Sequence, residues 1–250
     1  MRNIWILFKR EMMSYFYSPI AYVVGVCVLA LTGMAFGQVV LTLLQSPADY
    51  SPMGGFFFGP FTWFILLIVP PILTMRVFAD EEKSGAIESM MTAPIRDVEY
   101  VLAKFFGAYT FFVLLWLPTV NYVFLLRYFA RDSMPLDPGP LIGGYVGLAL
   151  IGLMLISIGC MASACTRNQV IAAVISFAIG LTIFIVGIFF YILPSDKYHA
   201  VLGHVSMFAH LFHSMSRGVL EWPQLVFYVS MTAFFLFVTH RMVQSRRWKT

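Results

Sequence analysis

Six long apolar stretches constrain the fold of this chain more than any other feature of its sequence. They lie near residues 20–44, 58–79, 98–126, 140–165, 169–193 and 223–243. A transmembrane helix needs about 20 such residues to cross a hydrocarbon core roughly 30 Å thick. Only 11% of the 250 residues are charged, whereas soluble domains carry about 25%. We therefore predict an all-α membrane protein with six transmembrane helices, organised as a single transmembrane domain over residues 1–250.

Residues 2–17 precede the first span and have the pattern of an amphipathic helix. Apolar side chains, Trp5 and Phe8 among them, recur on one helical face. The charged residues in the middle of the segment are Lys9, Arg10 and Glu11. We predict an interfacial helix, with its apolar face toward the acyl chains. The alternative is an ordinary basic flank to the first span.

The distribution of Lys and Arg along the chain indicates its orientation in the membrane, because cytoplasmic loops are enriched in these residues. With the N-terminus in the cytoplasm, most of the 16 Lys and Arg residues lie inside. The exceptions are Arg127, Arg131, Lys197 and Arg217. An even number of spans returns the chain to its starting side, so we expect both termini in the cytoplasm.

A charged module follows the second span, and this orientation makes it cytoplasmic. Its first residues are Asp80, Glu81, Glu82 and Lys83. Gly85 then permits close approach of another backbone. A small apolar face follows, formed by Ile87, Met90 and Met91. Glu88 adds an acidic side chain to the same segment. Methionine suits an adaptable contact surface, so we predict a docking helix over residues 80–94. The alternative is a solvated loop.

Residues 194–221 are too polar to span the membrane alone, although apolar residues repeat there at helical spacing. We expect one or two short helices at the extracytoplasmic mouth. The candidates for an outer gate are Phe208, Phe212 and Met215. The alternative is an amphipathic loop helix without a role in transport.

The sequence shows no site for catalysis or energy conversion. The central parts of the six spans contain no Asp, Glu, Lys or Arg, which disfavours a proton-coupled carrier or a membrane enzyme. Four histidines of the outer segment lack the ligand pattern of a zinc site, so we predict no metal. No glycine-rich phosphate loop occurs, and no basic run is long enough to suggest nucleic acid as a partner. Any energy source must therefore lie in another chain.

Three segments resemble the ABC-2 family of ATP-binding-cassette permeases, and more narrowly its gliding-motility-type members. They are KREMMSYFYSPIAYV (9–23), GPFTWFILLIVPPILTMRVFADEEKSGAIESMMTAPI (59–95) and HSMSRGVLEWPQLVFYVSMTAFFLFVTHRMVQSRRWK (213–249). The order of elements is also similar over essentially the whole chain. Ala86 and Ser89 depart from the family pattern, in which threonine and leucine are commoner.

The resemblance implies a permease subunit in the bacterial cytoplasmic (inner) membrane, paired with a second copy of itself or a related membrane subunit. A dimer of cytoplasmic ATPase subunits would bind ATP and Mg, and this chain would bind neither. The segment after the second span would be the coupling helix. Its contact candidates would be Glu81, Glu82, Gly85, Glu88 and Met91. The N-terminal helix would be the second contact with the ATPase.

Substrates within this family vary widely, and some members act mechanically on envelope partners. The resemblance therefore implies either an exporter or a non-transporting membrane scaffold of an ATPase-driven envelope machine. A periplasmic or membrane-anchored accessory protein is a further expected partner.

Overall fold

The computed structural model describes residues 2–45, 52–83, 85, 96–130, 138–192, 206–207, 210–211, 218–219 and 221–247. Over these ranges the chain is helical and contains no strand. The helices are α1 (Arg2–Tyr17), α2 (Pro19–Gln45), α3 (Pro52–Phe58), α4 (Pro60–Thr74), α5 (Ala79–Lys83), α6 (Asp97–Trp116), α7 (Val120–Ala130), α8 (Pro138–Cys165), α9 (Gln169–Ile192) and α10 (Trp222–Arg247). A 3₁₀ turn, Leu117–Thr119, joins α6 to α7.

Within the described ranges, six helical stretches are long and apolar enough to cross a membrane, which confirms the predicted fold class. They are α2, α4 continued through α5, α6 continued through α7, α8, α9 and α10. The α4 and α8 stretches contain the largest share of buried residues, whereas α9 and α10 contain the smallest. The bundle is therefore built around α4 and α8.

Small residues of α8 allow its neighbours to approach closely. The ring of Phe112 in α6 packs against Gly152, and the side chain of Thr74 in α4 packs against Gly159. A Cβ atom at either glycine would overlap these side chains. Membrane helices associate largely through such close packing, since lipid tails are as apolar as the helix surfaces.

Residues 45–57, between the first two spans, are rich in turn-forming residues, which predicts a short loop. The structure corrects this prediction, because part of the segment is helix α3. Helix α3 places Phe57 against Gly144 of α8, and both Phe56 and Phe57 are fully buried. The Thr62 hydroxyl donates a hydrogen bond of 2.8 Å to the Phe56 carbonyl. Burial of two large rings outweighs the low helix propensity of Pro and Gly in this segment.

Helix α1 packs along α6 at the start of the third span. A Cβ atom on Gly107 of α6 would lie 2.9 Å from Glu11 Cγ. The absence of a side chain at Gly107 therefore allows α1 and α6 to pack closely. The Tyr15 ring stacks on Phe111 at 5.0 Å, and its hydroxyl donates to the Leu73 carbonyl at 3.0 Å. The helix itself is thus present over the expected residues, and its position in the membrane interface remains a prediction.

Within residues 194–221, the described residues Ser206 and His210 contact α9 and α10. The Ser206 hydroxyl donates to the Gly187 carbonyl at 3.1 Å. His210 Nδ1 lies 3.3 Å from the Tyr228 hydroxyl, and both side chains are buried. The gate candidates lie outside the described residues; they are Phe208, Phe212 and Met215.

Candidate functional site

The second span ends in a turn that Ser163 of α8 holds in place. Helix α4 ends at Thr74, and the chain turns before α5 begins at Ala79. Ser163 Oγ accepts hydrogen bonds from the N–H groups of Phe78 and Ala79, at 3.0 and 3.1 Å. Its hydroxyl donates to the Met75 carbonyl at 3.2 Å. One side chain therefore satisfies three backbone groups of the turn, which would be costly to bury unpaired.

Glu81 of α5 is the centre of a charged cluster that joins three helices. Its Oε1 lies 2.9 Å from Lys104 Nζ in α6 and 3.1 Å from Arg10 Nη2 in α1. The hydroxyl of Tyr100 in α6 donates a hydrogen bond to Oε2. The Glu81 side chain is only 17% exposed, so these contacts replace water around most of the carboxylate.

Lys104 is the buried cation of the cluster, with 5% of its side chain exposed. Besides Glu81, it contacts Glu11 Oε2 at 3.5 Å and donates to the Val77 carbonyl at 2.5 Å. Its ammonium also lies over the rings of Phe78 and Tyr100, 5.4 and 5.3 Å from their centroids. A buried ammonium is costly unless it is paired and hydrogen-bonded, and this site supplies both.

Glu11 is the second carboxylate beside Lys104, and it lies farther from the ammonium than Glu81 does. Burial raises the pKa of Glu11 above its ordinary value. The positive charge of Lys104 opposes this shift, and the negative charge of Glu81 adds to it. The raised pKa reflects a net penalty on the charged form of Glu11. Glu81 is the closer partner of Lys104, at 2.9 Å against 3.5 Å for Glu11.

The other side of α5 is attached to the turn between α8 and α9. Glu82 Oε1 lies 2.9 Å from Arg167 Nε, and the Glu82 side chain is 13% exposed. The side-chain amide of Gln169 donates a hydrogen bond to Asp80. Asp80 also lies 4.0 Å from Arg76, one turn earlier. The three acidic residues of α5 thus face other parts of this chain.

The structure separates the predicted coupling residues into two groups. Asp80, Glu81 and Glu82 are half-buried in α5 and bonded within the chain, whereas Lys83 is exposed. Gly85 is also exposed, with a φ of 71°, a left-handed conformation that glycine adopts without strain. The remaining candidates lie outside the described residues; they are Ile87, Glu88, Met90 and Met91.

The residues predicted for the interfacial helix also fall into two groups. Arg10 and Glu11 join the charged cluster. Trp5 and Phe8 stack on each other at 5.5 Å, and Trp5 is 66% exposed. Lys9 is exposed as well. Only the middle of α1 therefore contributes to the site.

Sequence reasoning missed the partners of the acidic residues, namely Tyr100, Lys104, Arg167 and Gln169. It also missed the hydrogen bonds from the turn before α5 to Ser163. It assigned Lys104 and Arg167 to the cytoplasmic flank and gave them no partners. One signal was present, because Lys104 lies well inside an apolar run, deeper than a flanking charge requires. Such a residue needs an acidic partner. In the described part of the chain, no three His, Cys, Asp or Glu side chains are grouped to hold a metal ion.

A family model described as ABC-2 family transporter protein matches residues 39–239. The chain belongs to this family. As an ABC-2 protein it is a multi-pass membrane component of an ATP-binding-cassette transporter and not the ATPase itself. The match confirms the predicted family, while the gliding-motility-type subgroup remains a prediction. No curated protein matches the chain. The matched range includes Glu81 and Lys104 of the cluster and excludes α1.

Proposed function

We propose that this ABC-2 chain is a permease subunit whose movement is driven by a separate cytoplasmic ATPase bound to the segment after α5. The supporting observation is that α5 is bonded to α1, α6, α8 and the α8–α9 turn at once. A displacement of the segment that follows α5 would therefore act on most of the bundle. ATP and Mg would be held by the ATPase.

The arrangement divides the predicted coupling segment into a connecting part and a docking part. Glu81 and Glu82 connect α5 to the bundle, since both carboxylates already pair within the chain. The docking part would begin at Gly85 and use the apolar side chains of Ile87, Met90 and Met91. An ATPase can bias a two-state membrane protein only through a contact that differs between the two states, and a docked helix joined to α5 meets that requirement.

The proposed location is the bacterial cytoplasmic membrane, with both termini and α5 on the cytoplasmic side. The positive-inside rule supports this orientation. A second copy of the chain, or a related membrane subunit, would complete the transport pathway. Export is the proposed outcome, with movement of an envelope partner as its alternative.

The test is purification of the tagged chain from native membranes in mild detergent, with identification of the proteins that accompany it. We expect an ATPase of the ATP-binding-cassette class to co-purify with the wild type. The double variant Glu88→Lys with Met91→Asp should insert normally and lose this partner. The matched control is Val98→Asp, at an exposed apolar residue in the first turn of α6, and it should retain the ATPase.

Retention of the ATPase by the double variant would refute the docking part of the proposal. Reconstitution in liposomes would then distinguish export from the movement of an envelope partner. Stimulation of ATP hydrolysis by a small amphipathic substrate indicates export, whereas stimulation by an envelope protein alone indicates a mechanical role.

A further inference from the structure

A cavity of about 360 Å³ lies between α1, the first turn of α2 and the end of the second span. Volumes of this order are typical of small-molecule sites. One wall is a stripe along α1 and its end, formed by Arg10, Ser14 and Ser18 at four-residue spacing. The opposite wall is a second stripe with the same spacing, formed by Ile72, Arg76 and Asp80. The N-terminal helix and the end of the second span therefore both line the cavity.

The lining changes from apolar to charged along the direction of the spans. Ile20 and Ala21 of α2, with Ile72 and Leu73 of α4, form its apolar part. Arg76 follows Ile72 by one turn, and the charged cluster lies beyond it. An amphiphile whose tail enters the bilayer and whose headgroup lies at this end of the bundle would match that gradient.

The charges that line the cavity balance one another. The basic residues are Arg10, Arg76 and Lys104, and the acidic residues are Glu11, Asp80 and Glu81. The side chains of Arg10 and Arg76 are 52% and 43% exposed, and each also contacts a carboxylate, Glu81 and Asp80 respectively. Guanidinium groups and hydroxyls bind phosphate well. The three carboxylates, however, would repel a headgroup with a net negative charge and would attract an ammonium group.

We propose that this cavity binds the headgroup of phosphatidylethanolamine from the membrane leaflet at this end of the bundle. The phosphate lies between Arg10 and Arg76, beside the hydroxyls of Ser14 and Ser18. The primary ammonium points toward Asp80, where it donates hydrogen bonds that a choline headgroup cannot form. The proposal requires only that the chain spans a membrane, so it does not depend on the ATPase coupling proposed above.

The test is native mass spectrometry of the purified full-length chain, titrated with lipids of identical acyl chains. The three lipids are phosphatidylethanolamine, phosphatidylcholine and phosphatidylglycerol. We expect the wild type to bind phosphatidylethanolamine most tightly. Arg76→Gln should weaken this binding about tenfold or more, the loss expected for one charge-assisted hydrogen bond. Arg241→Gln, at an exposed arginine in α10, is the matched control and should bind like the wild type.

Ser14→Leu gives an independent variant, since Ser14 is exposed on α1 and the larger side chain would fill the cavity. It should lose phosphatidylethanolamine while its thermal unfolding stays close to that of the wild type. Equal binding of the three lipids, or a preference for phosphatidylglycerol, would overturn the proposal. Displacement of the bound lipid by millimolar inorganic phosphate would also overturn it, because the site would then bind free phosphate.

Discussion

Replacement of Lys104 by methionine tests whether the charged cluster holds α1, α5 and α6 together at this end of the bundle. Methionine has nearly the length and volume of lysine, so packing is conserved and only the charge and its hydrogen bonds are removed. In the wild type the ammonium lies 2.9 Å from Glu81, 3.5 Å from Glu11 and 2.5 Å from the Val77 carbonyl. Lys104→Met leaves both carboxylates half-buried, with Arg10 as the cation that still contacts Glu81.

Removal of one partner from a buried ion pair costs about 3–5 kcal/mol, because the other charge is left uncompensated. For a soluble domain of 150–250 residues, each kcal/mol shifts the unfolding temperature by about 2–4 °C. We therefore expect Lys104→Met to unfold roughly 6–20 °C below the wild type. Lys83→Met is the matched control, since Lys83 is exposed on α5, and its unfolding temperature should be unchanged.

The assay is thermal unfolding of the purified chain in mild detergent, followed by tryptophan fluorescence and by loss of the monodisperse peak in gel filtration. The triple variant Lys104→Met, Glu11→Gln and Glu81→Gln removes all three charges together. A neutral, well-packed substitute for a buried ion pair is often no less stable than the pair, so the triple variant should recover much of the loss. An unfolding temperature of Lys104→Met within about 2 °C of the wild type would refute the assigned role of the cluster.

Three further predictions concern packing, the turn and pH. Gly152→Ala should destabilise the bundle by about 1–3 kcal/mol, because the new methyl group overlaps a buried ring, whereas Gly37→Ala has open space and should be neutral in the same unfolding assay. Ser163→Ala should cost about 1–3 kcal/mol for each buried N–H left unpaired, and the control Ser230→Ala, at an exposed hydroxyl, should not. Since the folded-state pKa of Glu11 is raised, stability should fall as pH rises from the ordinary value of 4.5 toward that pKa. Glu11→Gln should remove this fall in an unfolding series across pH.

The sequence was sufficient to predict the six spans because hydrophobic length is a local property of the chain. The helix at Pro52–Phe58 was missed for the opposite reason. Its Pro and Gly residues are typical of a turn, and tertiary burial of Phe56 and Phe57, the latter against Gly144, stabilises the helix. A contact between residues so distant in the chain leaves no periodic signal in either segment.

The pairing of charges at the candidate site could not be predicted from the sequence for the same reason. The sequence predicted that Glu81 and Glu82 belong to a functional segment at the end of the second span. It gave no means to pair them with Lys104 or Arg167, since partners on different helices depend on how the helices pack. Both acids were therefore predicted as contacts with an ATPase, and the structure gives each of them a partner within the chain.

The type of contact that holds α5 in the bundle affects how this helix would transmit movement. In the described part of α5, Ala79 is the buried apolar residue, and the helix is otherwise held by ion pairs and hydrogen bonds. Such contacts are directional and weaken steeply when their geometry is lost, whereas apolar surfaces slide past each other more easily. A helix held in this way moves together with its partners or separates from them. We infer that an ATPase bound beyond Lys83 would displace α5, α1 and the start of α6 as one body, because Glu81 joins all three.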